Sequence, residues 1–192
     1  VTSTAEPGRR ERKKAATRAA IADAALRLFL ARGYQAVSLK DVAEAADVAV
    51  TTIFKHFPGK EALVLDESAD VERGLLAAVT ERPPGTPVLD ALRGWALGSR
   101  SVRQAGDPDF ARFRELVAGT PELDAYAQRT WLAHAEALAA ALLAAEPAHL
   151  TPAQASWLAH AVLAACDTAR RAQDPAAAVD EVFALLRSGW PH

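Results

Sequence analysis

Five times along this chain a helix-capping residue stands directly before proline: Thr86-Pro87, Asp107-Pro108, Thr120-Pro121, Thr151-Pro152 and Asp174-Pro175. Proline is tolerated at the first position of a helix, where its missing N–H has no partner in any case. The Thr or Asp before it offers an oxygen to the free N–H groups of the first turn. Each pair therefore marks a helix start. The stretches between them are rich in Ala and Leu, which favour helix. No stretch alternates apolar and polar residues as a strand would. The expected fold class is all-α.

The first third is punctuated differently. Ile21, Ala24, Ala25, Leu28 and Phe29 recur at helical spacing, and Arg32-Gly33 supplies a stop. Ser38 and Asp41, three apart, form a start of the capping-box kind. Leu39, Val42, Ala43 and Ala46 then make an apolar stripe two turns long, interrupted at Asp47-Val48. Ile53, Phe54 and Phe57 belong to another short helix, closed by Pro58-Gly59. Nine helices are expected, over about 12–32, 39–46, 50–56, 60–80, 87–103, 108–118, 121–145, 152–171 and 175–187. Three regions follow: a disordered basic arm over 1–11, a small domain over 12–59, and a helical body over 60–192.

Charge divides at the same place. Residues 1–60 hold eleven basic and six acidic residues, while the rest holds eleven basic and eighteen acidic. A basic end on an acidic body suits a polyanionic partner, and equally a solvated tail. No stretch is apolar for long enough to span a bilayer, and no apolar segment follows the basic start as in a secretory signal. Cys166 stands alone, so no internal disulfide can form. A cytoplasmic protein without membrane partner is expected. Phosphate-binding glycine loops, a G-x-S-x-G elbow and H-E-x-x-H are missing, as is any ligand set at metal spacing. Neither catalysis, a cofactor nor a metal is expected.

Two helices as short as 39–46 and 50–56 cannot stand alone. Leu39, Val42, Ala43, Ala46, Val48, Ile53 and Phe57 supply a shared core, and Ala43 is small enough for close crossing. The other side of the second helix carries Thr51, Thr52, Lys55 and His56, which can reach base edges and phosphates. Spacing alone fits a helix-turn-helix, and also an ordinary bend in a helical bundle.

The string VSLKDVAEAADVAVTTIFKHFPGKEAL, Val37 to Leu63, with Ala25, Leu28, Phe29, Gly33 and Tyr34 before it, resembles the DNA-binding domain of TetR-family regulators. The resemblance covers about 14–66; beyond that only length and the helical plan agree. It implies that Ser38 caps the second helix and touches phosphate, with Lys40 near the backbone one turn on. Val50, Thr51 and Thr52 match the exposed start of the recognition helix, and Lys55 and His56 match contacts further along. Lys60 matches a phosphate-binding lysine at the next helix start. Three positions depart from the family. Asp47 stands where glycine is usual, though Asp tolerates left-handed geometry. Ala49 replaces a frequent capping Ser. Phe54 replaces a Tyr whose phenol commonly meets phosphate.

For the body, the resemblance implies dimerisation and binding of a small molecule. The last two helices are the expected interface, through Leu158, Val162, Ala165 and Ala169 on one and Val179, Val182, Phe183 and Leu186 on the other. The same stripes equally suit a protomer core. Candidates for the ligand pocket are Trp95, Phe110, Phe113, Tyr126, Trp131, His134, Trp157 and His160. For each of these, packing in the core is the simpler role. The expected function is a homodimeric repressor on a near-palindromic operator, released by an apolar effector. A regulator without effector and an activator remain the alternatives.

Overall fold

The computed structural model describes residues 8–66, 68–146 and 148–188. Among them the secondary structure is helical, in eleven segments. Residues 1–7 of the expected arm lie outside the described residues. Its remainder is not an irregular arm: α1 runs Arg9–Arg32, three residues longer than expected at its start. Arg, Glu, Lys and Ala are strong helix formers, and Gly8 serves as N-cap with its carbonyl accepting from the Arg12 N–H at 3.0 Å.

The chain divides into two compact units. The first holds residues up to Asp66 together with Arg112–Asp124. In it, α1 is followed by α2 (Leu39–Ala45), α3 (Val50–His56) and the single turn α4 (Glu61–Val64). Its core is Ile21, Ala24, Ala25 and Phe29 of α1, Val42 and Ala43 of α2, Ile53 of α3, and Phe57, Leu63 and Val64 beyond it, all buried. Gly33 ends α1 at φ 82°, a left-handed backbone that glycine adopts without steric cost, and its N–H donates to the Phe29 carbonyl. The 112–124 segment is tied in by Gln35, whose amide donates to Glu122 at 2.8 Å.

The second unit holds α5 (Ser68–Thr80), α6 (Val88–Leu97), α7 (Arg100–Arg103), the start of α8 (Pro108–Ala118), most of α9 (Pro121–Ala145), α10 (Pro152–Arg171) and α11 (Pro175–Ser188). Leu75, Leu92, Leu138, Leu142, Val162 and Phe183 are wholly buried in its core. Gly74 lets α5 and α6 come close, since a Cβ there would lie 2.9 Å from the Trp95 indole nitrogen. Four of the five proline starts hold as expected; at the fifth, Pro87 is the cap and Val88 begins the helix. Thr151 makes a full capping box with Gln154.

Two expected helices are broken. The 60–80 helix stops at Val64, where Leu65 leaves helical geometry at ψ 43°, and resumes at Ser68. No Gly or Pro marks this break. It coincides with Asp66, whose carbonyl and carboxylate are both engaged by Arg18 of α1. The 87–103 helix is divided by Gly98-Ser99, a poor helix former followed by a residue in the extended conformation of an N-cap.

Candidate nucleic-acid interface

The helix-turn-helix is built as its residues demand. The Asp41 N–H donates to Ser38 Oγ at 3.1 Å, and the Ser38 N–H donates back to Asp41 Oδ2 at 2.7 Å. This reciprocal box fixes the start of α2. The Ser38 hydroxyl, the Ser38 N–H and then the Arg32 guanidinium hold the Asp41 carboxyl below its ordinary value. The turn is closed by Asp47 at φ 52°, the one non-glycine residue with positive φ among the described residues. Its expected left-handed geometry is therefore present. The Val48 N–H returns to the Ala43 carbonyl at 2.9 Å. Ala49 caps α3 without any side-chain hydrogen bond, as its methyl group requires.

Ile53 and Phe57 point α3 into the core, each 1% exposed. The opposite face presents Thr51, Phe54 and Lys55 to solvent, with Val50, Thr52 and His56 partly buried at its edges. Phe54 is 58% exposed, unusual for so large an apolar ring. Ser38 and Lys40 are exposed on α2. The face thus offers hydroxyls, a cation and an aromatic ring to a groove, and no carboxylate stands within α3.

Lys60 is placed differently from a free surface cation. Its ammonium donates to the Tyr34 carbonyl at 2.6 Å and lies 4.0 Å from the Tyr34 ring centroid and 5.5 Å from that of Phe29. Burial lowers its pKa, against Glu61 and Glu122, which raise it. Burial, and then Glu61, carry the Tyr34 phenol far above its ordinary range. Arg18, which the sequence did not single out, donates to the carbonyl of His56 at the end of α3. Nothing in its local pattern separates it from the other basic residues of α1.

The candidates for the body do not come together as one pocket. His134 is buried, with Nδ1 3.0 Å from Glu72 Oε2, Nε2 3.4 Å from Ser68 Oγ, and the Trp131 ring edge-on at 5.7 Å. Trp95 packs over Gly74. Phe110 is buried with the Arg100 guanidinium 5.3 Å from its ring. Phe113 and Tyr126 are partly buried, and Phe113 belongs to the first unit. Trp157 and His160 face solvent, Trp157 with 67% of its surface, so they line no interior cavity. A cleft of about 410 Å³ does exist, between the 80–87 loop and Glu146, and none of the eight candidates lines it. Burial also raises the Cys166 thiol to about 12, as suits a packed hydrophobe.

The residues of the expected interface stripe lie in or against the protomer core. Val162, Ala165, Ala169, Val179 and Phe183 are buried inside the protomer, and Leu158, Val182 and Leu186 pack against that core. The first five are taken up by the fold, and the last three keep part of their surface exposed. The unpartnered side of α10 is the other one, with Trp157, His160, Ala164 and Thr168 exposed.

A capped helix-turn-helix with an exposed polar and aromatic face, on an all-helical chain, has the plan of helix-turn-helix domains that dock in a DNA groove. Residues 21–66 match the family described as bacterial regulatory proteins, tetR family. The chain is 40% identical over 88 residues to the HTH-type transcriptional regulator TcmR of Streptomyces glaucescens, covering 46% of this chain and 39% of that one. It is 36% identical over 94 residues to the HTH-type transcriptional repressor KstR of Rhodococcus jostii, covering 48% and 40%. Residues 21–66 thus resemble the tetR-family domain, while the matched part of this chain spans well under half the length of those two relatives. Solved structures share the fold: GusR of Salmonella enterica has a TM-score of 0.60 at 19% identity, over 88% of this chain and 93% of that one. The SmeT–triclosan complex has a TM-score of 0.59 at 19% identity, over 88% and 90%. No described helix is long and apolar enough to cross a membrane.

Proposed function

We propose that this chain is a cytoplasmic, homodimeric transcriptional repressor that binds a near-palindromic operator. The exposed face of α3, raised on a fully buried core, carries the reading. Thr51, Thr52 and Val50 meet base edges; Ser38, Lys40, Lys55, His56 and Lys60 meet the backbone; Phe54 makes apolar contact. A seven-residue helix reads few base pairs, so two heads on one dyad are required. The second copy docks on the exposed side of α10 around Trp157, His160, Ala164 and Thr168, continued on α11 by Ala184 and Leu185. Small alanines there permit close helix approach.

Selection of duplexes from a random library tests this. The expected product is an inverted repeat whose half-sites lie about one helical turn, roughly 34–36 Å, apart. A selected motif without dyad symmetry overturns it.

Release by a small apolar effector is the accompanying proposal, anchored at Trp131 and His134 in the second unit. The effector must prefer the form that binds DNA less well, since equal affinity for both forms shifts nothing. The second reading is a regulator gated without such an effector. A thermal-shift screen of apolar compounds, with each hit titrated against the operator complex, separates the two.

A further inference from the structure

We infer that Arg18 is a positioning residue that ties the pose of the recognition helix α3 to the joint at Asp66, an inference that rests on the DNA-binding reading above. Three contacts converge on its guanidinium. Nη1 donates to the carbonyl of His56, the last residue of α3. Nη2 forms an ion pair with the Asp66 carboxylate and lies 3.4 Å from the Asp66 carbonyl. Its central carbon Cζ lies over the Phe57 ring, which closes α3, 4.3 Å from the ring centroid.

The need for such a tie is plain in α3. It has seven residues, and its N-cap Ala49 contributes no side-chain bond. Helices of this length do not persist by themselves. What fixes α3 is Ile53 beneath it and whatever holds its C-terminal end. The His56 carbonyl is one of the acceptors left without a partner at a helix end, and a cation there also complements the helix dipole.

Asp66 ends the N-terminal segment of the first unit, immediately after the break at Leu65. Ser68 begins α5 in the second unit. On the chain path from α5, Asp66 is the first residue that belongs to the first unit. Arg18 grips that residue by both its side chain and its carbonyl while holding the end of α3 with the same planar group. A lysine is no equivalent, because its compact ammonium lacks the rigid planar fork that spans the His56 carbonyl and Asp66 while lying over the Phe57 ring.

The test uses the full chain with Arg18→Lys, Arg18→Gln, Asp66→Asn and the double variant Arg18→Gln/Asp66→Asn. On the operator selected by the wild-type protein, Arg18→Lys should lose roughly tenfold in affinity while a scrambled duplex is bound within about twofold, because charge is kept and pose is lost. The double variant should bind no more weakly than Arg18→Gln alone, within about twofold, as for two groups in one contact. Hydrogen exchange without DNA provides the second arm. Asp66→Asn should speed exchange in residues 53–57 by roughly fivefold or more and leave residues 24–29 unchanged. Equal acceleration in both segments, no acceleration at 53–57, additive losses in the double variant, or wild-type discrimination in Arg18→Lys overturns the inference. A wild-type protein that selects no operator defeats the DNA-binding reading, and the exchange arm still decides the tie between Asp66 and α3.

Discussion

The ammonium of Lys60 donates to the carbonyl of Tyr34 at 2.6 Å and sits 4.0 Å from the centroid of the same residue's ring. An ammonium has three donors, so the tether occupies one and leaves two for a phosphate. Lys60→Ala should therefore have two separable effects. The melting temperature falls because the tether is gone. The dependence of log affinity on log salt becomes shallower by about 0.9 for each phosphate no longer neutralised. Salt titrations that keep the parent slope would confine Lys60 to the tether.

Thr52 stands at the edge of the exposed face, partly buried. Thr52→Ala should alter preference at one or two base pairs, at a cost on the order of 1 kcal/mol per altered hydrogen bond. Binding to a full set of singly substituted operators measures this. A weakening spread evenly over all positions would reassign Thr52 to the backbone.

The Ser38–Asp41 box carries a pH dependence of defined sign. The carboxyl is held below its ordinary value of 3.8 by hydrogen bonds from Ser38. A lowered carboxylate contributes stability that is complete above its unfolded pKa and is lost as pH falls through its folded one. Ser38→Ala should thus lower the urea midpoint at pH 7, and the gap to wild type should narrow in acid below that ordinary value. A gap that stays constant with pH refutes the coupling.

Gly74 tests the packing of α5 on α6. Alanine gains about 1 kcal/mol of helix propensity over glycine. A Cβ 2.9 Å from the Trp95 indole nitrogen forces a rigid ring to shift, and overpacking costs about 1–3 kcal/mol. Gly74→Ala should lower stability on balance and shift tryptophan fluorescence. A melting temperature at or above that of wild type contradicts the close approach.

Dimer and core are separated by two substitutions on α10 and α11. Ala164 is exposed, so Ala164→Arg should leave the fold intact and yield monomers by light scattering. Phe183 is wholly buried, and Phe183→Ala should cost about 3–5 kcal/mol in unfolding. Dimers that survive Ala164→Arg at micromolar concentration place the interface elsewhere.

How legible a feature is in the sequence follows how local its cause is. The Ser38 box, the stop at Gly33, the left-handed Asp47 and the capless start at Ala49 depend on neighbours a few residues away, and all are present in the fold. The break before Ser68 carries no Gly or Pro to announce it, and the Arg18 contact to Asp66 beside it spans 48 residues. The α10 stripe suggests a partner because periodicity reports that a face is covered, not by which helix. Here α10 packs on α11 of its own chain. Trp131 shares a helix face with His134 and is visible from spacing, but the carboxylate partner Glu72 sits 62 residues from His134 and leaves no local sign.

The exposed ring of Phe54 has a thermodynamic consequence. Where a phenol at this position would add to a polar contact, a bare phenyl ring is held in water by the free protein at 58% exposure. Covering it against thymine methyl groups would remove apolar surface and make the heat capacity of association more negative. That part of the driving force draws on solvent rather than on counterions. It would persist at ionic strengths that abolish attraction to the backbone, so discrimination between duplexes should outlast general affinity as salt is raised.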